Sequence, residues 1–143
     1  MLVRVVVADD DVDVREGLCA VLEHDDRFTV AGQAVDAASA LVQVVTERPD
    51  AVLLDLRMPG GGVEAARAIR DAHPEAVVVA VSAQVDAATV GELLRAGVRG
   101  IFLKGRLGRD LGDMLERCCD GQVLLVVPTA WDGLQFALDG HPR

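Results

Sequence analysis

The chain has 143 residues, the size of one domain and enough to bury roughly 70% of its unfolded surface without disulfide or metal staples. Hydrophobic residues make up 51% and charged residues 26%, a globular composition rather than a disordered one. Fourteen basic against twenty-three acidic residues give a net charge of −9, which argues against a general nucleic-acid or anionic-membrane binder, because phosphate contacts need clustered Lys and Arg.

Short β-branched runs alternate with segments of helical period, five times over. Leu2–Ala8 (LVRVVVA) is predicted as a strand, followed by a helix from Val12 to about His24 with Val14, Leu18, Val21 and Leu22 on one face. Asp11 precedes that helix as its N-cap. Phe28–Ala34 is a second strand, and Ala37–Glu47 a second helix capped by Asp36. Ala51–Leu54 (AVLL) is a third strand, short and wholly apolar. A third helix runs from about Val63 to Ala72 and ends before His73-Pro74. Val77–Val81 (VVVAV) is a fourth strand and Asp86–Ala96 a fourth helix, stopped by Gly97. Val98–Leu103 is a fifth strand, and a fifth helix runs from about Leu107 to Cys119.

Five β-then-α units read as an α/β sandwich with a parallel sheet and helices on both faces. The two wholly apolar strands fit its centre, where both faces are covered. No apolar run approaches the ~18 residues of a membrane span, and no signal-peptide pattern opens the chain. Three cysteines (Cys19, Cys118, Cys119) in no metal-ligand spacing read as reduced thiols of a cytoplasmic protein. Neighbours on a helix point about 100° apart, so a Cys118–Cys119 disulfide is not expected. His24, His73 and His141 are too scattered for an imidazole metal site.

In an open α/β sheet, chemistry gathers outside the carboxyl ends of the strands. The first strand ends in Asp9, Asp10 and Asp11, the third at Asp55, the fourth at Ser82 and the fifth at Lys104; the second ends in Gln33 and Ala34 and offers nothing chemical. Carboxylates converging this closely repel one another, and a hard divalent cation relieves the strain. Mg²⁺ suits the set, because it takes one or two carboxylates plus waters and leaves positions for phosphate oxygens. Asp55 could then attack a phosphoryl group and form an acyl phosphate. Mg²⁺ and Lys104 would neutralise the equatorial oxygens, and Ser82 would donate a hydrogen bond to one of them. Ala83 is small enough to leave room for the phosphoryl group, and its backbone would lie against it.

These residues resemble the receiver domain of bacterial two-component response regulators, which has a flavodoxin-like, CheY-like fold: a doubly wound (βα)5 sandwich with a five-stranded parallel sheet of order 2-1-3-4-5. ADD at 8–10, VREGL at 14–18, DLRMPG at 55–60, HPEA at 73–76, LLRAGVRG at 93–100 and FLK at 102–104 are similar to the NarL/FixJ-type subfamily. The similarity covers residues 2 to about 121. It implies Asp55 as phosphoacceptor, Asp10 and Asp55 as direct Mg²⁺ ligands, Asp9 acting through water and Arg57 ligating through its backbone carbonyl. Ser82 and Lys104 would be the switch hydroxyl and the phosphate-contacting lysine, and a sensor histidine kinase the phosphodonor. Such a domain is a signalling module with at most weak self-phosphorylation and self-dephosphorylation, not an enzyme in the usual sense.

The sequence departs from the family's pattern at four places. Gly60-Gly61-Gly62 is one residue shorter than the usual loop, and it is expected to be mobile because glycine loses most entropy on ordering. Ile101 stands where the family has Tyr or Phe, and the neighbouring Phe102 points to the other side of the strand. Gly105 follows Lys104 in place of Pro or Asp, and Gly108 and Gly112 weaken the fifth helix. Only 22 residues follow Gly121, too few for the helix-turn-helix domain with which such regulators usually continue.

The sequence thus divides into a receiver at 1–121 and a tail at 122–143. The tail's apolar VLLVV run at 123–127, and Trp131, Leu134, Phe136 and Leu138 beyond it, fold back on the domain or mediate self-association. Output is expected through the face of the fourth helix, fifth strand and fifth helix, toward a downstream protein or a second copy as a homodimer, with no nucleic acid or membrane contact. Two alternatives stand beside this reading: a degenerate receiver that binds without phosphorylation, and the receiver portion of a longer transcriptional regulator. A phosphatase of similar fold is disfavoured, since it would want a carboxylate at the position of Arg57.

Overall fold

The strands form where β-branched runs remove apolar surface from water on both faces of a sheet. The computed structural model describes residues 2–106, 108 and 110–126. In chain order its elements are β1 (Val3–Ala8), α1 (Val12–Glu23), β2 (Phe28–Ala34), α2 (Ala37–Glu47), β3 (Ala51–Asp55), α3 (Val63–Ala72), β4 (Val77–Ser82), α4 (Ala87–Arg95), β5 (Gly100–Leu103), α5 (Leu111–Cys119) and β6 (Leu124–Val126). The sheet order is β2-β1-β3-β4-β5-β6, and every pairing is parallel. The expected flavodoxin-like order 2-1-3-4-5 is present, and β6 extends the sheet beyond it.

Two hydrophobic clusters flank the sheet. Val6, Val52, Leu54, Val78, Ala80 and Ile101 face the helices α2, α3 and α4. Val5, Val7, Leu53, Val79, Val81 and Phe102 face α1 and α5. Ile101 and Phe102 therefore do point to opposite sides, and both are wholly buried. The strands AVLL and VVVAV lie at the centre, between β1 and β5.

The caps follow the sequence closely. Asp11 Oδ1 accepts from the amides of Asp13 and Val14 at 2.9 and 3.2 Å. Asp36 and Ser39 form a reciprocal capping box at the start of α2. Gly97 at φ +92° ends α4. The fifth helix differs from expectation: it begins at Leu111 rather than Leu107, because Lys104–Arg106 winds as a 3-10 turn and Gly108 sits at φ +124°, outside any right-handed helix. Gly112 has a packing reason to be glycine, since a Cβ there would lie 2.6 Å from Arg27 Nη2. Arg27 in turn pairs with Asp25, Asp113 and Glu116 at 2.7, 2.9 and 3.1 Å, tying the α1–β2 loop to α5. The histidine of HPEA is structural: buried His73 donates from Nε2 to the Pro49 carbonyl at 2.8 Å.

All three cysteines are free, and burial pushes the Cys119 thiol up to about 11. Among the described residues no helix is long and apolar enough to cross a membrane.

Gly100 is buried and closely packed in the core. A Cβ there would meet Cys118 Sγ at 3.0 Å and Phe102 and Val79 side-chain carbons at 3.1 Å. Gly100→Ala is expected to destabilise the domain by about 1–3 kcal/mol through overpacking, measured by urea denaturation; an unchanged midpoint would contradict this packing.

Candidate functional site

Parallel pairing in this register brings the strand ends level. Ala8 pairs with Leu54, Asp55 with Val81, and Ser82 with Leu103. The residues just beyond or at those ends, Asp9, Asp55, Ser82 and Lys104, therefore meet at one edge. Asp9, Asp55 and Ser82 are each 1% exposed, while Asp10 is exposed. Carboxylate oxygens of Asp9, Asp10 and Asp55 lie within 4.8 Å of one another, so the structure assembles the acidic cluster expected of a divalent-cation pocket.

Lys104 is the chain's single lysine, and its ammonium lies 2.9 Å from Asp9 Oδ2 and 3.4 Å from Asp55 Oδ1. Asp55 Oδ1 also accepts the Arg57 amide at 3.0 Å, and Asp9 Oδ1 accepts the Asp11 amide at 2.9 Å. Asp55 Oδ2 is buried without a hydrogen-bond partner, an open valence where carboxylate oxygens gather. Burial pushes the Asp55 carboxyl above its ordinary value; the Arg57 amide opposes this, Asp9 adds to it and Lys104 lowers it again. Burial works against the charge on Lys104, yet Asp9 and Asp55 together hold its pKa above the usual amine value.

Ser82 does not point its hydrogen bond at the carboxylates. Its Oγ donates to the Gln84 carbonyl at 2.7 Å and accepts the Gln84 amide at 3.4 Å, inside the β4–α4 loop. Ala83 is exposed between them. The side chain of Arg57 is exposed too, so only its backbone belongs to the pocket floor.

The glycine loop, expected to be mobile, is tied at two points. Gly61 N–H donates to Met58 O at 2.8 Å, and Pro59 O accepts from Ala37 N–H at 2.9 Å, fixing the loop to α2. Gly60 and Gly62 take φ of +71° and +92°, which lets three residues close the turn. A Cβ on Gly61 would sit 2.8, 3.0 and 3.1 Å from the carbonyl oxygens of Met58, Leu56 and Asp55.

Arg15 is the residue that sequence reading missed. Its Nη1 donates to the Asp9 carbonyl at 2.9 Å and its Nε to Gln33 Oε1 at 3.1 Å, so the end of β2 does contribute, by orienting an arginine behind the acidic loop. The available signal was its place one turn into the helix that follows the aspartates.

Two predictions follow from this electrostatic and steric arrangement. Because the folded pKa of Asp55 is raised, the folded state loses stability as pH rises through that value. Without divalent cations, Asp55→Asn is therefore expected to raise stability near neutral pH by on the order of 1 kcal/mol, or about 2–4 °C in Tm. The gain should shrink as the pH falls into the carboxylate range; calorimetry showing an equal or lower Tm for the variant at pH 8 would contradict it. Gly61→Ala meets backbone rather than flexible side chains, so a loss above about 2 kcal/mol is expected by denaturant titration.

Comparison with known proteins supplies the family. Residues 5–116 match the family described as response regulator receiver domain. Response regulator GacA of Pseudomonas viridiflava is 39% identical over 105 residues, covering 73% of this chain and 49% of that protein. The probable transcriptional regulatory protein NarL of Mycobacterium tuberculosis is 35% identical over 133 residues, covering 92% of this chain and 61% of that one. The chain thus spans about half the length of the curated relatives it matches. Among solved structures, the signal receiver domain of NarL from M. tuberculosis is 36% identical with a TM-score of 0.78, over 84% of this chain and 98% of that one. A LuxR-family response regulator from Aurantimonas sp. SI85-9A1 is 26% identical with a TM-score of 0.82, over 98% and 97% of the two chains. With its parallel sheet, its acidic carboxyl-edge cluster and these matches, the chain belongs to the response regulator receiver domain family, of the NarL/LuxR type.

Proposed function

We propose that this receiver accepts a phosphoryl group from a sensor histidine kinase on Asp55 and signals by a phosphorylation-biased change in what its surface binds. The observation that carries the reading is the shared ammonium: Lys104 lies within 3.4 Å of Asp55 and 2.9 Å of Asp9, while Asp55 Oδ2 is buried and unpartnered. Residues 1–121 are the signalling module, and 122–143 are its extension.

The donor set fits Mg²⁺, a hard cation that prefers carboxylate, carbonyl and water oxygens. Asp10 and Asp55 would hold it directly, Asp9 through water, and Arg57 through its carbonyl. When bound, it supplies positive charge that offsets the like-charged carboxylates and the incoming phosphoryl oxygens. The Asp55 carboxylate attacks phosphorus, a new P–O bond forms as the P–N bond to the donor imidazole breaks, and the imidazole nitrogen keeps the electron pair. Lys104 holds its proton and pairs with a phosphoryl oxygen. Ser82 exchanges its bond to the Gln84 carbonyl for one to another phosphoryl oxygen, and Ala83 leaves room and offers its backbone amide.

The degenerate reading draws on Ile101, which is wholly buried and apolar where the resemblance leads one to expect an aromatic. Acetyl phosphate with Mg²⁺, read by intact mass, separates the two. One phosphoryl adduct that requires Mg²⁺ and is absent from Asp55→Asn is expected. Lys104→Ala should slow its formation by about 100-fold. No adduct in the wild type would instead support a phosphorylation-independent binding module.

A further inference from the structure

The β5 edge lies between α4 and α5, on the face through which output is expected, and the chain covers that edge itself. After α5 the backbone turns at Gly121, φ +102°. The amides of Gly121 and Gln122 donate to the carbonyls of Cys118 and Arg117 at 3.1 Å, and Arg117 Nε donates to Gln122 Oε1 at 2.8 Å. These bonds send the chain back onto the sheet. Leu124 N–H then donates to Arg99 O at 3.0 Å, and Leu124, Leu125 and Val126 pair with Gly100, Ile101 and Phe102.

We propose that Leu124–Val126 is a displaceable strap: it closes the β5 edge of the resting receiver, and phosphorylation at Asp55 releases it, exposing that edge for a partner. The proposal rests on the phosphoacceptor reading above and names how that site is coupled to the surface.

Three observations carry it. First, the described residues of β6, Leu124–Val126, are each half-buried, over β5 residues Gly100, Ile101 and Phe102 that are buried throughout. A half-buried strand at the side of a sheet is held less firmly than the buried strands inside it, and its loss leaves an unpaired edge ready to accept another strand. Second, Leu125 packs against the cluster that contains Ile101 and Val90 and Leu93 of α4, and Val85 of the β4–α4 loop packs against the same cluster. Ser82 holds that loop through its bond to Gln84 O, so a turn of Ser82 toward a phosphoryl group frees the segment leading into α4 and disturbs the packing under Leu125. Third, β6 runs parallel to β5, so Val126 lies beside Phe102, two residues before Lys104. Val126 thus lies toward the carboxyl ends of the strands, where the acidic cluster is gathered.

Hydrogen exchange with peptide-level mass spectrometry on the full chain tests this, with acetyl phosphate and Mg²⁺ present or absent and intact mass recorded on each sample. Exchange across 124–126 is expected to rise about tenfold on phosphorylation, a coupling typical of two linked sites, while β1, β3 and β4 keep their protection. Asp55→Asn should show no rise. An adduct with unchanged or slower exchange at 124–126 would overturn the strap alone and make β6 a permanent strand. The absence of any adduct would overturn the phosphoacceptor reading, and with it the release.

Discussion

Two carboxylates, Asp9 and Asp55, are withdrawn from water at the carboxyl edge of the sheet and share one ammonium, that of Lys104. Like charges at this separation repel strongly once solvent is removed, and a single cation of unit charge offsets only part of the repulsion. The fold nevertheless holds them there, because Asp9 directly follows β1 and Asp55 ends β3 in a tightly registered sheet whose central members are buried on both faces. Packing energy along β1, β3 and β4 thus sustains an arrangement that the site by itself would not choose. That imbalance is what a divalent cation or a phosphoryl group can act on, since each changes the charge the pocket has to accommodate.

The surrounding contacts restrict where the pocket can yield. Arg15 braces the Asp9 backbone, the Arg57 amide fixes one oxygen of Asp55, and the Gly61 turn leaves no space beside the carbonyls of Leu56 and Met58. On the opposite side the Ser82 hydroxyl is engaged with a loop carbonyl, a bond that can be exchanged without breaking any strand pairing. The acidic side is therefore held by several contacts, and the proposed response to phosphorylation lies on the β4–α4 side.

Most of this was readable from the chain. AVLL and VVVAV announced central parallel strands, because only burial on both faces tolerates such runs, and the residues at their ends located the site. Asp11 and Asp36 were legible as caps, since their side chains have no better use before a helix. What escaped was set by contacts between distant segments. The fifth helix is expected from Leu107 despite Gly108, yet with the 3-10 turn at Lys104–Arg106 and Gly108 at positive φ, α5 begins at Leu111. Gly112 looked like a weakness in a helix, while its reason is the Asp25–Arg27 pair from another loop. The triple glycine suggested freedom, but its positive φ values serve a closed turn. VLLVV was recognisable as too apolar for water; that part of it adds a sixth parallel strand depends on Gly121 reversing the chain after α5. Trp131, Leu134, Phe136 and Leu138 lie outside the described residues.

The charge balance at the edge can be read through one atom, because the chain contains a single lysine. Selective ¹⁵N labelling of lysine gives one ammonium resonance, that of Lys104, and Mg²⁺ titration should move it as the pairing with Asp9 and Asp55 is redistributed. The resonance should remain that of a protonated amine above the usual lysine range, as its carboxylate neighbours require. A signal at the position of free lysine, unmoved by Mg²⁺ and titrating as an exposed side chain does, would contradict the shared-ammonium site on which the proposed chemistry stands.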